Sequence, residues 1–214
     1  KMLQQLQHRG QLSAGLTTYH ENRTLPLKTH KGNGLVSEIF AHSDEKKASR
    51  LAREFNGNIG IGHTRYATAG SNDVEEAQPF ERVHSRTWKW FAFGFNGNMA
   101  NARPLREDLW KMNYHFRTST DTEVMMHLIA HHLGSDEPKP LHEAFSNVEK
   151  EMDGAYNIVF LNAQGEMIVA RDPQGFKVFE NEGQLPLAAP LIEARWEPEG
   201  PVFGGRLRLR GSRR

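Results

Sequence analysis

Three helical patterns follow one another between residues 104 and 152, with strand patterns in blocks on either side. Elements that come in blocks, not in strict alternation, favour α+β layers over a doubly wound parallel sheet. Pro104 to Met112 follows Asn101, which suits a helix cap. Thr120 to Leu133 opens with Thr120-Asp121-Thr122-Glu123, the pattern of a capping box. Leu141 to Met152 fits the third helix. Upstream, Met2 to His8 reads as a short helix and Ala14 to Tyr19 as a strand. Gly32 to Phe40 reads as extended, and Ser43-Asp44 caps a helix running to Phe55. Asn58 to Thr64 alternates isoleucine with glycine, the mark of a strand that another backbone approaches closely. Trp88 to Phe95 is aromatic and strand-prone. Tyr156 to Leu161 and Met167 to Arg171 form a hairpin pattern around Asn162-Ala163-Gln164-Gly165.

The composition, 37% hydrophobic and 25% charged over 214 residues, suits a soluble domain with a real core. A net charge of +1 gives no global field for nucleic acid or an anionic membrane. No apolar run approaches a bilayer span, and KMLQQLQHRG lacks a signal-peptide core. The cytoplasm is the default location. There is no cysteine, which excludes disulfides, thiolate metal sites and a thiol nucleophile within these residues. From Gly183 to Arg214 prolines and arginines accumulate and periodicity fades. That segment is expected to be a disordered tail, with a truncation artefact or a basic arm as alternatives.

Several groups of residues can carry chemistry. Gly60-Ile61-Gly62-His63-Thr64-Arg65 ends a strand in an arginine whose fork could take a carboxylate, or could form a structural ion pair. Asn96-Gly97 could be a tight hairpin turn. It could equally form an oxyanion hole, from an Asn amide and a Gly backbone N–H. Asp121 and Glu123 lie in a first helical turn, where the dipole favours carboxylates, and Asp121 could face an ammonium. His127, His131 and His132 share a helix, but no partner stands at a zinc-protease spacing, so a helix surface or core-edge role is expected.

In chain order these pieces are Leu6-Gln7-His8-Arg9-Gly10-Gln11 with Ser13-Ala14-Gly15, Gly62-His63-Thr64-Arg65-Tyr66-Ala67-Thr68-Ala69-Gly70, and Ala77-Gln78-Pro79-Phe80. Asn96-Gly97-Asn98, Asp121-Thr122-Glu123-Val124, Gly154-Ala155-Tyr156 and Arg171-Asp172-Pro173-x-Gly175 follow. The ordered set resembles the class II glutamine amidotransferases over residues 2 to 176. It is most similar to their branch that makes phosphoribosylamine for purine synthesis. The resemblance implies an N-terminal-nucleophile hydrolase fold: a four-layer αββα sandwich of two antiparallel sheets between helices, here lacking the first strand. It implies residues 1–176 as the amidotransferase domain, N-terminally incomplete, and 177–214 as the anomalous tail. It implies that Arg65 holds the α-carboxylate of glutamine, Thr68 supports that grip, and Asp121 holds the α-ammonium. Asn96 and Gly97 would form the oxyanion hole. Glutamine and a synthase domain are the implied partners, with a possible homo-oligomer and with no metal or other cofactor in this domain.

The family nucleophile is an N-terminal cysteine whose own amine is the general base. No cysteine is present, and the first residue is Lys1, so the chain is expected to be a fragment of a working enzyme and inactive alone. Phe95 stands where related enzymes usually have histidine, and Phe176-Lys177-Val178 replaces the expected continuation after Gly175. A non-catalytic glutamine-binding module is one alternative. Another branch, of asparagine synthetase, glutamate synthase or aminosugar type, is a second.

Overall fold

The computed structural model describes residues 1–66 and 74–172, and the backbone of 191–198 and 205–211. The elements run α1 (Met2–Gln5), β1 (Ser13–Tyr19), β2 (Leu27–Asn33), α2 (Val36–Ile39), α3 (Glu45–Glu54), β3 (Ile59–Arg65), β4 (Phe80–Arg82) and β5 (Phe91–Met99). Then follow α4 (Ala102–Lys111), α5 (Asp121–His132), α6 (Leu141–Glu151), β6 (Gly154–Asn162), β7 (Glu166–Arg171), β8 (Leu191–Pro198) and β9 (Gly205–Gly211). The strands form a three-stranded sheet of order β2-β1-β3 and a six-stranded sheet of order β4-β5-β6-β7-β8-β9. The α+β class with two antiparallel sheets therefore holds.

The chain divides into two compact units, Lys1–Gly94 with Leu161–Gly165, and Phe95–Phe160 with Glu166–Arg214. In the first, β1 is the central strand of its sheet and six of its seven residues are buried. Ala14, Leu27, Ile59 and Ile61 contribute its core, with Phe91 and Phe93 of β5. The helix α3 begins where a local cap permits: the Asp44 side chain accepts from Lys47 N. Extended structure between Gly32 and Phe40 ends early. Gly34 has φ +111°, and the chain then turns into α2, with Val36 N donating to Gln7 Oε1 at 2.6 Å.

In the second unit α5 buries nine of its twelve residues, which is why its sequence lacks a polar stripe. Val124, Met125, Leu128 and Ile129 of α5, Phe145 and Val148 of α6, and Ile158, Phe160 and Ile168 of the strands are all but inaccessible. Phe145 meets Phe160 edge-on, ring centres 5.3 Å apart. Asn101 precedes α4 but makes no side-chain cap bond. Its amide instead donates to Glu151 O at 2.7 Å and its oxygen accepts from Asp153 N at 3.0 Å.

The segment expected to be a disordered tail contains β8 and β9. Arg206-Leu207-Arg208-Leu209-Arg210 has the period of two that a strand requires, and Glu193 pairs with Arg210 in register. The expected boundary between residues 176 and 177 lies outside the described residues.

Candidate functional site

In the first unit, Arg65 is the last residue of β3, and its backbone is enclosed. Leu12 N donates to Arg65 O at 3.0 Å, and Ser13 is its register partner on β1. A Cβ added at Gly10 would lie 2.6 Å from the carbonyl carbons of Thr64 and Arg65, so only glycine lets the preceding turn cross the strand end. A Cβ at Gly62 would meet Leu3 at 2.8 Å, which places α1 against the same strand. The backbone approach expected along Asn58 to Thr64 is found where Gly10 crosses Thr64, while at Gly62 it is the Leu3 side chain that comes close.

Arg65 Nη2 donates to Glu76 Oε2 at 3.1 Å, with side-chain exposures of 14% and 9%. The ion-pair alternative for Arg65 is therefore realised. Lys31 anchors the segment that carries Glu76, donating to Ala77 O at 2.6 Å and Glu75 O at 3.3 Å. Burial lowers the Lys31 pKa, against the pull of Glu81 and Glu75. Thr68 lies outside the described residues, as do Ala67, Ala69 and Gly70 of the same motif.

In the second unit, Asn96 and Gly97 fall inside β5, so the hairpin-turn alternative is overturned. The reason is tertiary: β6 lies so close that a Cβ at Gly97 would overlap the Ala155 carbonyl oxygen and stand 2.9 Å from Tyr156 Cα. Gly154 (φ +146°) meets Asn98 in the same way from the opposite strand. Asn96 is exposed beside half-buried Gly97. Phe95 is buried, a core residue next to the exposed Asn96.

Asp121 is the first residue of α5. Thr120 is its N-cap, accepting from Glu123 N at 3.3 Å. The reciprocal half of the capping box is absent, because the Glu123 carboxylate reaches further back. It accepts from Arg117 N (2.7 Å), Thr118 N (2.6 Å) and Thr118 Oγ1 (2.7 Å). Arg106 of α4 donates from Nη1 to Thr118 O at 2.9 Å and from Nη2 to Thr120 O at 3.1 Å. Asp121 itself accepts one long contact, 3.5 Å, from Thr122 Oγ1. Glu76, Arg106 and the backward reach of Glu123 were not read from the sequence. Only Glu76 carried a signal, standing directly before Ala77-Gln78-Pro79-Phe80.

Of the histidines of α5, His127 and His132 take the core-edge role and His131 lies on the exposed surface. His127 Nε2 lies 3.0 Å from His115 O, and His132 Nε2 lies 3.0 Å from Glu151 Oε1. Among the described residues no group of three or more His, Cys, Asp or Glu could hold a metal. Asp172 N donates to Tyr156 O at 2.9 Å, and Pro173 to Gly175 lie outside the description. A cavity of about 220 Å³, lined by Leu105, Leu109, Met112, Leu128, His131 and Glu151 among others, includes none of the expected site residues.

A family model described as a glutamine amidotransferase domain matches residues 63–181. The amidophosphoribosyltransferase of Methanothermobacter thermautotrophicus is 37% identical over 191 residues, covering 86% of this chain and 36% of that protein. Chloroplastic amidophosphoribosyltransferase 2 of Arabidopsis thaliana is 37% identical over 209 residues, covering 92% and 34%. The glutamine phosphoribosylpyrophosphate amidotransferase from B. subtilis, solved with ADP and GMP, superposes with a TM-score of 0.64 at 35% identity, covering 81% of this chain and 34% of that one. The chain thus spans about a third of the length of the relatives it matches. Among the described residues no helix is long and apolar enough to cross a membrane.

Proposed function

Since the chain belongs to the glutamine amidotransferase domain family and is similar to amidophosphoribosyltransferases, we propose that these residues bind glutamine and orient its side-chain amide for hydrolysis. In this reading Arg65, supported by Thr68, holds the α-carboxylate, and Asp121 holds the α-ammonium. Free glutamine carries one charge of each sign at its α-carbon, and the two grips match them. The observation that carries the reading is the β5–β6 approach at Gly97. It keeps this residue as glycine and leaves Asn96 exposed beside it. A side-chain amide next to a main-chain N–H suits the charge that develops on the amide oxygen during attack.

No cysteine occurs in the 214 residues. The reading therefore assigns recognition and oxyanion support to them, and attack on the amide to a thiol of the longer protein. There, a synthase domain would use the released ammonia to form phosphoribosylamine in purine synthesis. The longer protein is read as cytoplasmic and able to form a homo-oligomer, with no cofactor in this domain.

Titration calorimetry tests the recognition step. Glutamine at millimolar concentration should give binding heat that Arg65→Ala and Asp121→Asn both remove. No heat from the unsubstituted chain sinks the reading. Ammonia release by this chain above a buffer blank, abolished in Arg65→Ala, would overturn the assignment of the nucleophile.

A further inference from the structure

The turn that leads into Asp121 is held by two charges of opposite sign, neither of which has a place in the grip on glutamine. The Arg106 guanidinium stacks 4.2 Å from the Phe116 ring centre, which fixes its plane. From that plane it forks to the carbonyls of Thr118 and Thr120. The Glu123 carboxylate, in a residue only 4% exposed, takes the amides of Arg117 and Thr118 and the Thr118 hydroxyl. Residues 117–120 are thereby held through their carbonyls by a cation and through their amides by an anion.

A helix start needs much less. Thr120 Oγ1 already caps α5 by accepting from Glu123 N. A capping-box glutamate would return to the N-cap amide, whereas Glu123 passes over it to reach residues 117 and 118. Asp121 follows the clamped turn directly. Its one described contact, with Thr122 Oγ1 at 3.5 Å, is too long to aim the carboxylate, so its direction comes from the backbone beneath it.

We propose that Arg106 and Glu123 are positioning residues that set Asp121 against the α-ammonium of the ligand, and so make the domain prefer glutamine to the same amide lacking an amine. The inference rests on the glutamine reading above. Lysine cannot replace Arg106, since an ammonium has no planar fork to span two carbonyls. Gln cannot replace Glu123 either, since its NH₂ group would face one of the three donors.

The test titrates the 214-residue chain with glutamine and with 4-carbamoylbutanoate, which keeps the amide and carboxylate and lacks the amine. The unsubstituted chain should prefer glutamine by about tenfold to a hundredfold, the range of a hydrogen-bonded charge. In Arg106→Lys and Glu123→Gln the affinity for 4-carbamoylbutanoate should stay as it was, and the preference should fall to about twofold or less, because the added bond is lost. Thr118→Val, which removes one donor to Glu123, is the milder variant should either fail to fold by circular dichroism. Folded variants that keep the full preference overturn the inference, and so do variants that weaken for both ligands equally. No glutamine heat from the unsubstituted chain overturns the glutamine reading, and this inference with it.

Discussion

The end of β3 and the start of α5 carry the two charges expected to hold a substrate, and they are prepared in opposite ways. At β3 the charge itself is engaged. Arg65 is already paired with Glu76, both largely buried, while its backbone is enclosed by Gly10 and Leu12. At α5 the scaffold is engaged and the charge is left over. Arg106 and Glu123 satisfy the turn, and among the described residues no cation pairs with Asp121. Arg65 thus has a carboxylate partner within the chain, whereas the described contacts of Asp121 include no cation. The comparison teaches that stability and recognition are joined in one residue and separable in the other.

Arg65→Ala should show the largest effect. It removes the guanidinium paired with the buried Glu76 carboxylate and should cost about 3 kcal/mol of stability as well as glutamine binding. Urea unfolding measures the first, and an unchanged midpoint would break the comparison at its stronger side. Gly97→Ala should cost about 1–3 kcal/mol, because a methyl group there must push β5 away from β6. A stability equal to the parent chain would mean that the close approach is not a constraint.

The far end of α5 supplies a pH-dependent contrast. Burial above all, with smaller contributions from neighbouring His131 and Lys139, holds His132 below its ordinary pKa, and Glu151 pulls the other way. The unfolded chain protonates this ring near pH 6.5, about the ordinary value, and the folded chain only at a lower pH. The stability of the neutral ring is therefore complete above that value and lost as pH falls through the folded pKa. Urea midpoints from pH 7.5 to 5.5, about one unit either side of that value, should fall, and His132→Gln should flatten the decline. Equal slopes in the two proteins would remove His132 from the account. Smallest in stability is Asp121→Asn, about 0.5 kcal/mol from the helix dipole alone. It should nonetheless abolish glutamine heat. A stability loss as large as that of Arg65→Ala would erase the distinction between the two regions.

Local features were readable without coordinates. Asp44 and Thr120 cap their helices as their residue types require, and the Asn162–Gly165 turn joins β6 to β7. The motif order from Leu6 to Arg171 was enough for the family, which the match over 63–181 bears out. The readings that failed or stayed open depend on partners distant in sequence. Gly32 to Phe40 is the exception, since Gly34 at φ +111° and Glu38 Oε2, which accepts from Leu35 N, start α2 locally. Asn96-Gly97 reads as a hairpin dipeptide until β6 holds it straight. Arg65 had two readings, and Glu76, eleven residues on, pairs with it. A cap or a two-residue turn closes its hydrogen bonds within a few positions, so the sequence alone determines it. Which distant backbone touches a glycine, and which carboxylate reaches a guanidinium, is decided only when segments far apart in the chain pack together.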